Sequence, residues 1–98
     1  MANKNEAVGT LSRIKKKATR AELRGLIESQ EYRCNLSGLI LEPPDAALDH
    51  IVPVCNGGGH TIDNLQVVHV IINRMKGKMS NEEFIEMCNL VAKSNPRA

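Results

Sequence analysis

Ala46-Ala47-Leu48-Asp49-His50-Ile51-Val52-Pro53 is a short apolar run with an acid and an imidazole side by side near its end. Pro53 and then Asn56-Gly57-Gly58-Gly59 break it, so it predicts a strand over 46–51 that empties into a glycine loop. Beyond that loop, Asn64-Leu65-Gln66-Val67-Val68 predicts a second strand, and Val68, Ile71, Ile72 and Met75 have the spacing of a helix that packs back on the pair until Gly77 ends it. Working outward, Cys34 to Pro44 is rich in turn residues and closes on Pro43-Pro44, which excludes helix and leaves short strands. Thr19 with Glu22 forms a capping-box pattern ahead of Leu23, Leu26 and Ile27, and Ser80 with Glu83 forms another ahead of Phe84, Ile85, Cys88, Val91 and Ala92. Those five are expected to make the buried stripe of a last helix, with Pro96 beyond its end. Strands flanked by helices on both sides give an α+β class.

At 98 residues the chain has the size of one domain. Residues 1–18 are polar, basic and without periodicity and are expected to form a mobile arm, leaving 19–98 as the domain. Charge is unevenly placed: residues 1–24 hold seven Lys or Arg against two Glu, residues 25–72 hold Arg33 against six acids, and the rest returns to positive. A basic arm and tail around an acidic centre suit a polyanion held at the edges and a cation held between, and a solvated charge run has the same pattern. Tyr32 and Phe84 are the only aromatic residues besides histidine, which demands an aliphatic core and leaves little on which unpaired bases could stack. Cys34, Cys55 and Cys88 are too few and scattered for a disulfide framework, and Cys55 and Cys88 read as small packing residues. The first residues lack the apolar core of a signal peptide, and no stretch approaches the ~20 apolar residues of a membrane span, so a cytoplasmic protein with no membrane partner is expected.

Asp49-His50-Ile51-Val52-Pro53, the glycines 57–59, Asn64-Leu65-Gln66 and Asn73-Arg74-Met75-Lys76-Gly77, in this order, resemble the HNH endonucleases of the ββα-metal superfamily. The similarity runs from about Cys34 to Gly77, and the segment from Ser80 to Phe84 is similar to the extension of phage-type members. The resemblance implies a finger of two short antiparallel strands and a helix, flanked here by N- and C-terminal helices. It further implies hydrolysis of DNA phosphodiester bonds in the cytoplasm of a bacterial or phage-infected cell. Within that site it makes His50 the general base, Asp49 and Asn73 the ligands of one divalent ion, and Asn64 the asparagine that ties the loop and positions His50.

Elementary chemistry is consistent with those roles. Hydrolysis of a phosphodiester needs a base for water, a cation on the phosphate and stabilisation of the leaving oxygen. An imidazole has the right intrinsic pKa for the first task. One carboxylate and one amide oxygen, completed by waters and phosphate oxygens, make a hard site suited to Mg²⁺ or Mn²⁺, although Zn²⁺ and Ni²⁺ also accept such donors. Asp49 and His50 would point to opposite faces of an ideal strand, so the backbone must turn locally to unite them.

The chain departs from the family where many members hold a structural zinc with two Cys-x-x-Cys pairs. The corresponding positions read Cys34 to Ser37 and His69 to Ile72; two credible ligands do not close a tetrahedral site, so structural zinc is not expected and packing by Ile72 takes its place. His69 stands four residues before Asn73, where a core or surface role is weighed against assistance to the metal or phosphate. Lys15, Lys16, Lys17, His60, Arg74 and Lys76 are candidate DNA or phosphate contacts, to double-stranded DNA with weak sequence preference. Two other activities share the sequence: a DNA-binding scaffold without catalysis, and an RNA-directed or toxin-like nuclease using the same site.

Overall fold

Thr19 sets the first helix. In the computed structural model, which describes residues 18–97, its hydroxyl accepts the Glu22 amide at 3.1 Å while the Glu22 carboxylate accepts the Thr19 amide at 2.9 Å. This reciprocal cap opens α1 (Arg20–Ser29), which lays Leu26 and Ile27 on the core. Glu31 and Tyr32 then both adopt left-handed backbone, with φ of 56° and 59°, and turn the chain back. The stretch expected to hold short strands reduces to a single bridge between Arg33 and Ile40, followed by a 3₁₀ turn at Pro43–Asp45.

The sheet is the antiparallel pair β1 (Ala46–His50) and β2 (Leu65–His69), in which Ala47 faces Val68, Leu48 faces Val67, Asp49 faces Gln66 and His50 faces Leu65. Four consecutive residues of β2, Leu65 to Val68, are buried, so both of its faces are covered. α1 packs on one face; on the other sits α2 (Val70–Lys76). The free edge of β2 is closed by a side chain: the Gln30 amide donates to the Val67 carbonyl at 2.8 Å and accepts the Val67 N–H at 3.0 Å, as a neighbouring strand would.

Two helical faces differ from the reading of the sequence. Ile71, Ile72 and Met75 were expected to pack on the sheet; Ile72 does so, yet Ile71 and Met75 are more than half exposed, and the last turn of α2 buries Lys76 instead. Lys76 turns inward because the sheet presents the carboxylate of Asp49 to the last turn of α2. α3 (Asn81–Ser94) opens on the Ser80–Glu83 capping box as expected, but only Phe84 of its apolar stripe is buried; Cys88 is half-buried, and Ile85 and Val91 are exposed. Cys55 is exposed as well, against its expected packing role. The core itself joins Cys34, Leu41, Val67 and Val68, with Leu26, Ile27, Leu36 and Ile72 packed around them. Among the described residues no helix is long and apolar enough to cross a membrane.

Val68 has no exposed surface. Val68→Ala is therefore expected to lower unfolding free energy by about 2 kcal/mol. Ile71→Ala, on the solvent side of α2, should change it by no more than about 0.5 kcal/mol. Urea denaturation of the two variants checks the assignment of the helix face, and the reverse order of costs would refute it.

Candidate active site

β1 delivers Asp49 and His50 to the edge of an open cavity of about 430 Å³ whose lining also includes Pro53, Cys55, Gly77 and Lys78. The pleat would separate two consecutive side chains, but β1 ends at His50 and the chain bends at Ile51, so both reach the same space.

Asp49 is firmly oriented. Its Oδ2 accepts from Lys76 Nζ at 2.6 Å and from Gln66 Nε2 at 2.9 Å, with the carboxylate mostly buried. Lys76 Nζ donates a second hydrogen bond, at 2.7 Å, to the backbone carbonyl of His50. One ammonium group thus holds both residues of the Asp-His pair. Sequence reasoning placed Lys76 among exposed phosphate contacts; in the structure it is 1 % exposed and turned inward.

Gln66 is held in turn. Its Nε2 donates to Asn81 Oδ1 at 2.7 Å, Asn81 Nδ2 donates to Gln66 Oε1 at 3.1 Å, and Asn35 Nδ2 donates to the same Oε1 at 2.7 Å. The two amides fix each other's orientation, so that the Gln66 nitrogen faces the carboxylate. Asn81 opens α3, and its backbone N–H reaches the Ile51 carbonyl at 3.3 Å, which joins that helix to the end of β1. Gln30 was not singled out from the sequence, and Gln66 and Asn81, though inside the Asn64-Leu65-Gln66 and Ser80-to-Phe84 segments, were given no role of their own. Gln66 could have been given one, since a glutamine inside an otherwise apolar strand needs a buried polar partner.

His50 Nε2 lies 3.1 Å from His60 Nδ1, with the rings nearly perpendicular at a centroid distance of 5.1 Å. Either nitrogen can be the donor, according to tautomer. Asn64 spans the loop: its Oδ1 accepts the Val52 N–H at 3.0 Å, and its Nδ2 donates to the carbonyls of Val52 at 3.0 Å and Gly59 at 2.9 Å. The loop is drawn so tightly that a Cβ on Gly58 would overlap the Val52 carbonyl oxygen. Gly77, at φ 57°, ends α2 in a backbone region that residues with a Cβ avoid.

Asn73 is half-buried one turn before Lys76 and on the same face of α2, but it is not among the residues lining the cavity. Arg74 is exposed on the last turn of that helix. His69 caps it, with Nδ1 accepting the Ile71 N–H at 3.1 Å and Nε2 lying 3.9 Å from Asp45. Lys15, Lys16 and Lys17 lie outside the described residues. Away from the cavity, burial pushes the Cys34 thiol up, but the Ser37 side chain and the backbone amides of His69, Ser37 and Leu36 outweigh it and hold the thiol below its usual range.

Removing the three Asn64 bonds by Asn64→Ala should cost about 2–3 kcal/mol of stability. Gly58→Ala should be comparably damaging, because the clash is with backbone. Thermal unfolding checks both, and a Gly58→Ala variant as stable as the parent would contradict the loop geometry.

Residues 32–78 match the family model described as HNH endonuclease. The matched segment takes in both strands, the glycine loop and α2, and leaves α1 and α3 outside it. No curated protein matches the chain. The strands, the glycine loop, α2 and the cavity at the end of β1 therefore lie in the segment that is similar to the HNH endonuclease family.

Proposed function

We propose that this chain is a metal-dependent DNA endonuclease that hydrolyses phosphodiester bonds at the cavity beside Asp49 and His50. The observation that carries the reading is the Lys76 ammonium group, which bonds the Asp49 carboxylate and the His50 carbonyl together and so fixes an acid and an imidazole at one opening.

In this reading His50 takes the proton from the attacking water. A neutral imidazole has one free nitrogen for that purpose while the other is engaged. His60, at hydrogen-bond distance, is the partner that selects the tautomer. Asn64 keeps the loop closed and thereby holds His60 opposite His50. Lys78 at the cavity and Arg74 on the exposed side of α2 draw in and seat the phosphate backbone without reading sequence.

The donor set fits a hard divalent ion. Asp49 offers an oriented carboxylate on the cavity wall, and Asn73 adds an amide on the α2 face that carries Lys76. These two would hold Mg²⁺ or Mn²⁺, with substrate oxygens and water completing the shell. Bound there, the ion supplies charge stabilisation to the phosphate and to the leaving oxygen. The cytoplasm is the compartment this reading assigns.

Purified protein is expected to nick supercoiled plasmid in Mg²⁺ or Mn²⁺ and to stop on chelation. His50→Ala should slow nicking by at least about 100-fold. Asn81→Ala, which frees Gln66 behind Asp49, should cost about tenfold. Wild-type nicking by the His50 variant would remove the base assignment, while DNA binding that ignores chelator with no cleavage would favour the scaffold. Parallel digestion of plasmid, single-stranded DNA and RNA decides the substrate.

A further inference from the structure

We infer that Lys76 makes cation binding at this site depend on the phosphodiester, so that metal and nucleic acid are taken up together and not in turn. The inference rests on the nuclease reading above and concerns how its site is loaded.

The cavity has an unusual balance for a cation site. Among the described residues Asp49 is the one carboxylate on its wall, and that carboxylate is already paired at 2.6 Å with an ammonium whose side chain is 1 % exposed. Lys78 brings a second ammonium to the lining. Among the described residues no group of three or more His, Cys, Asp or Glu could hold a metal ion. Protein-only sites for hard cations gather several acids or carbonyls, whereas sites that hold Mg²⁺ with one or two carboxylates rely on substrate phosphates for the rest. A divalent ion entering the free protein would therefore meet a neutralised carboxylate and two like charges.

A phosphodiester reverses this. It carries a full negative charge that both ammonium groups favour, and it brings oxygen ligands to the ion. Lys76 cannot swing away to relieve the repulsion, because its second bond, to the His50 carbonyl, and its burial keep it in place. Each ligand thus supplies what the other lacks. The coupling is reciprocal by thermodynamic necessity: the factor by which DNA tightens the metal is the factor by which the metal tightens DNA.

The test uses the His50→Ala variant, which retains the Asp49–Lys76 pair, so that DNA stays intact. Mn²⁺ binding is followed by the electron paramagnetic resonance of the free ion, without DNA and with a short duplex, after subtraction of Mn²⁺ bound by duplex alone. Fluorescence anisotropy of the labelled duplex, in Mn²⁺ and in chelator, measures the reciprocal arm. Mn²⁺ affinity is expected to rise about tenfold or more with duplex, and duplex affinity to rise by the same factor with Mn²⁺. Lys76→Met in the same background should tighten Mn²⁺ on the free protein and shrink the coupling. Lys78→Met, at an exposed position, should shrink it more modestly and serves if the buried change unfolds the chain. Equal Mn²⁺ affinity with and without duplex overturns the inference, as does coupling undiminished in a folded Lys76→Met protein or, failing that, in Lys78→Met. A wild-type chain that nicks plasmid yet shows no coupling loses only this inference; one that nicks with no metal loses the nuclease reading.

Discussion

The ion pair between Lys76 and Asp49 is the constraint around which the rest of the structure is arranged. Taking both charges out of water costs several kcal/mol per ion unless the geometry is good and the remaining donors and acceptors are met. Here they are met: the ammonium has a second acceptor in the His50 carbonyl, and the carboxylate a second donor in Gln66. Such a pair is weak evidence for stability compared with an apolar core of the same volume, but losing one partner strands a buried charge. Its value to this fold is geometric. It pins the C-terminal end of β1 to the last turn of α2, where the cavity opens.

That pair also explains why parts outside the finger matter to it. Gln66 can serve Asp49 only if its amide nitrogen faces the carboxylate, and an unconstrained glutamine amide could present either atom. Asn35, from the turn after α1, and Asn81, from the start of α3, remove the choice by engaging both ends of the amide. The Gln30 side chain performs a parallel service on the other side of β2, where it satisfies the Val67 backbone. α1 and α3 are thus joined to the strands through amide side chains as much as through apolar burial, which suits a chain with little aromatic surface to bury.

What the sequence made legible was local. Both capping boxes, the two strands, the glycine stop of α2 and the loop glycines follow from residues within four positions of one another, and each is where the pattern places it. The ββα arrangement was legible through the ordered Asp-His, Asn-Leu-Gln and Asn-x-x-Lys-Gly segments. The long-range polar pairing was not. A lysine at a helix end reads as solvent-exposed, and nothing in spacing reveals that Lys76 reaches a carboxylate 27 positions earlier. The face of α2 was read only in part: Ile72 packs on the core, while Ile71 and Met75 satisfy the period and yet stand in solvent, the inward place of the last turn being taken by Lys76. On α3 the period is present, but period alone does not say how much of the stripe finds a partner: Phe84 is buried and Ile85 and Val91 are not.

Cys34 and His69, which the resemblance places where many family members have zinc ligands, make other contacts in this structure. Cys34 remains, buried in the core, and its sulfur accepts the Ser37 N–H at 3.3 Å, an amide-to-sulfur contact that needs no metal. Beside it His69, whose backbone amide faces the Cys34 thiol, spends its Nδ1 on capping α2, and Ile72 adds its side chain to the cluster of Cys34, Leu41, Val67 and Val68. A tetrahedral ion fixes two chain segments through directional bonds, whereas an aliphatic cluster fixes them through shape alone. Shape tolerates small shifts that coordination does not. Directional control at the cavity comes from the hydrogen bonds of Lys76, Gln66 and Asn64.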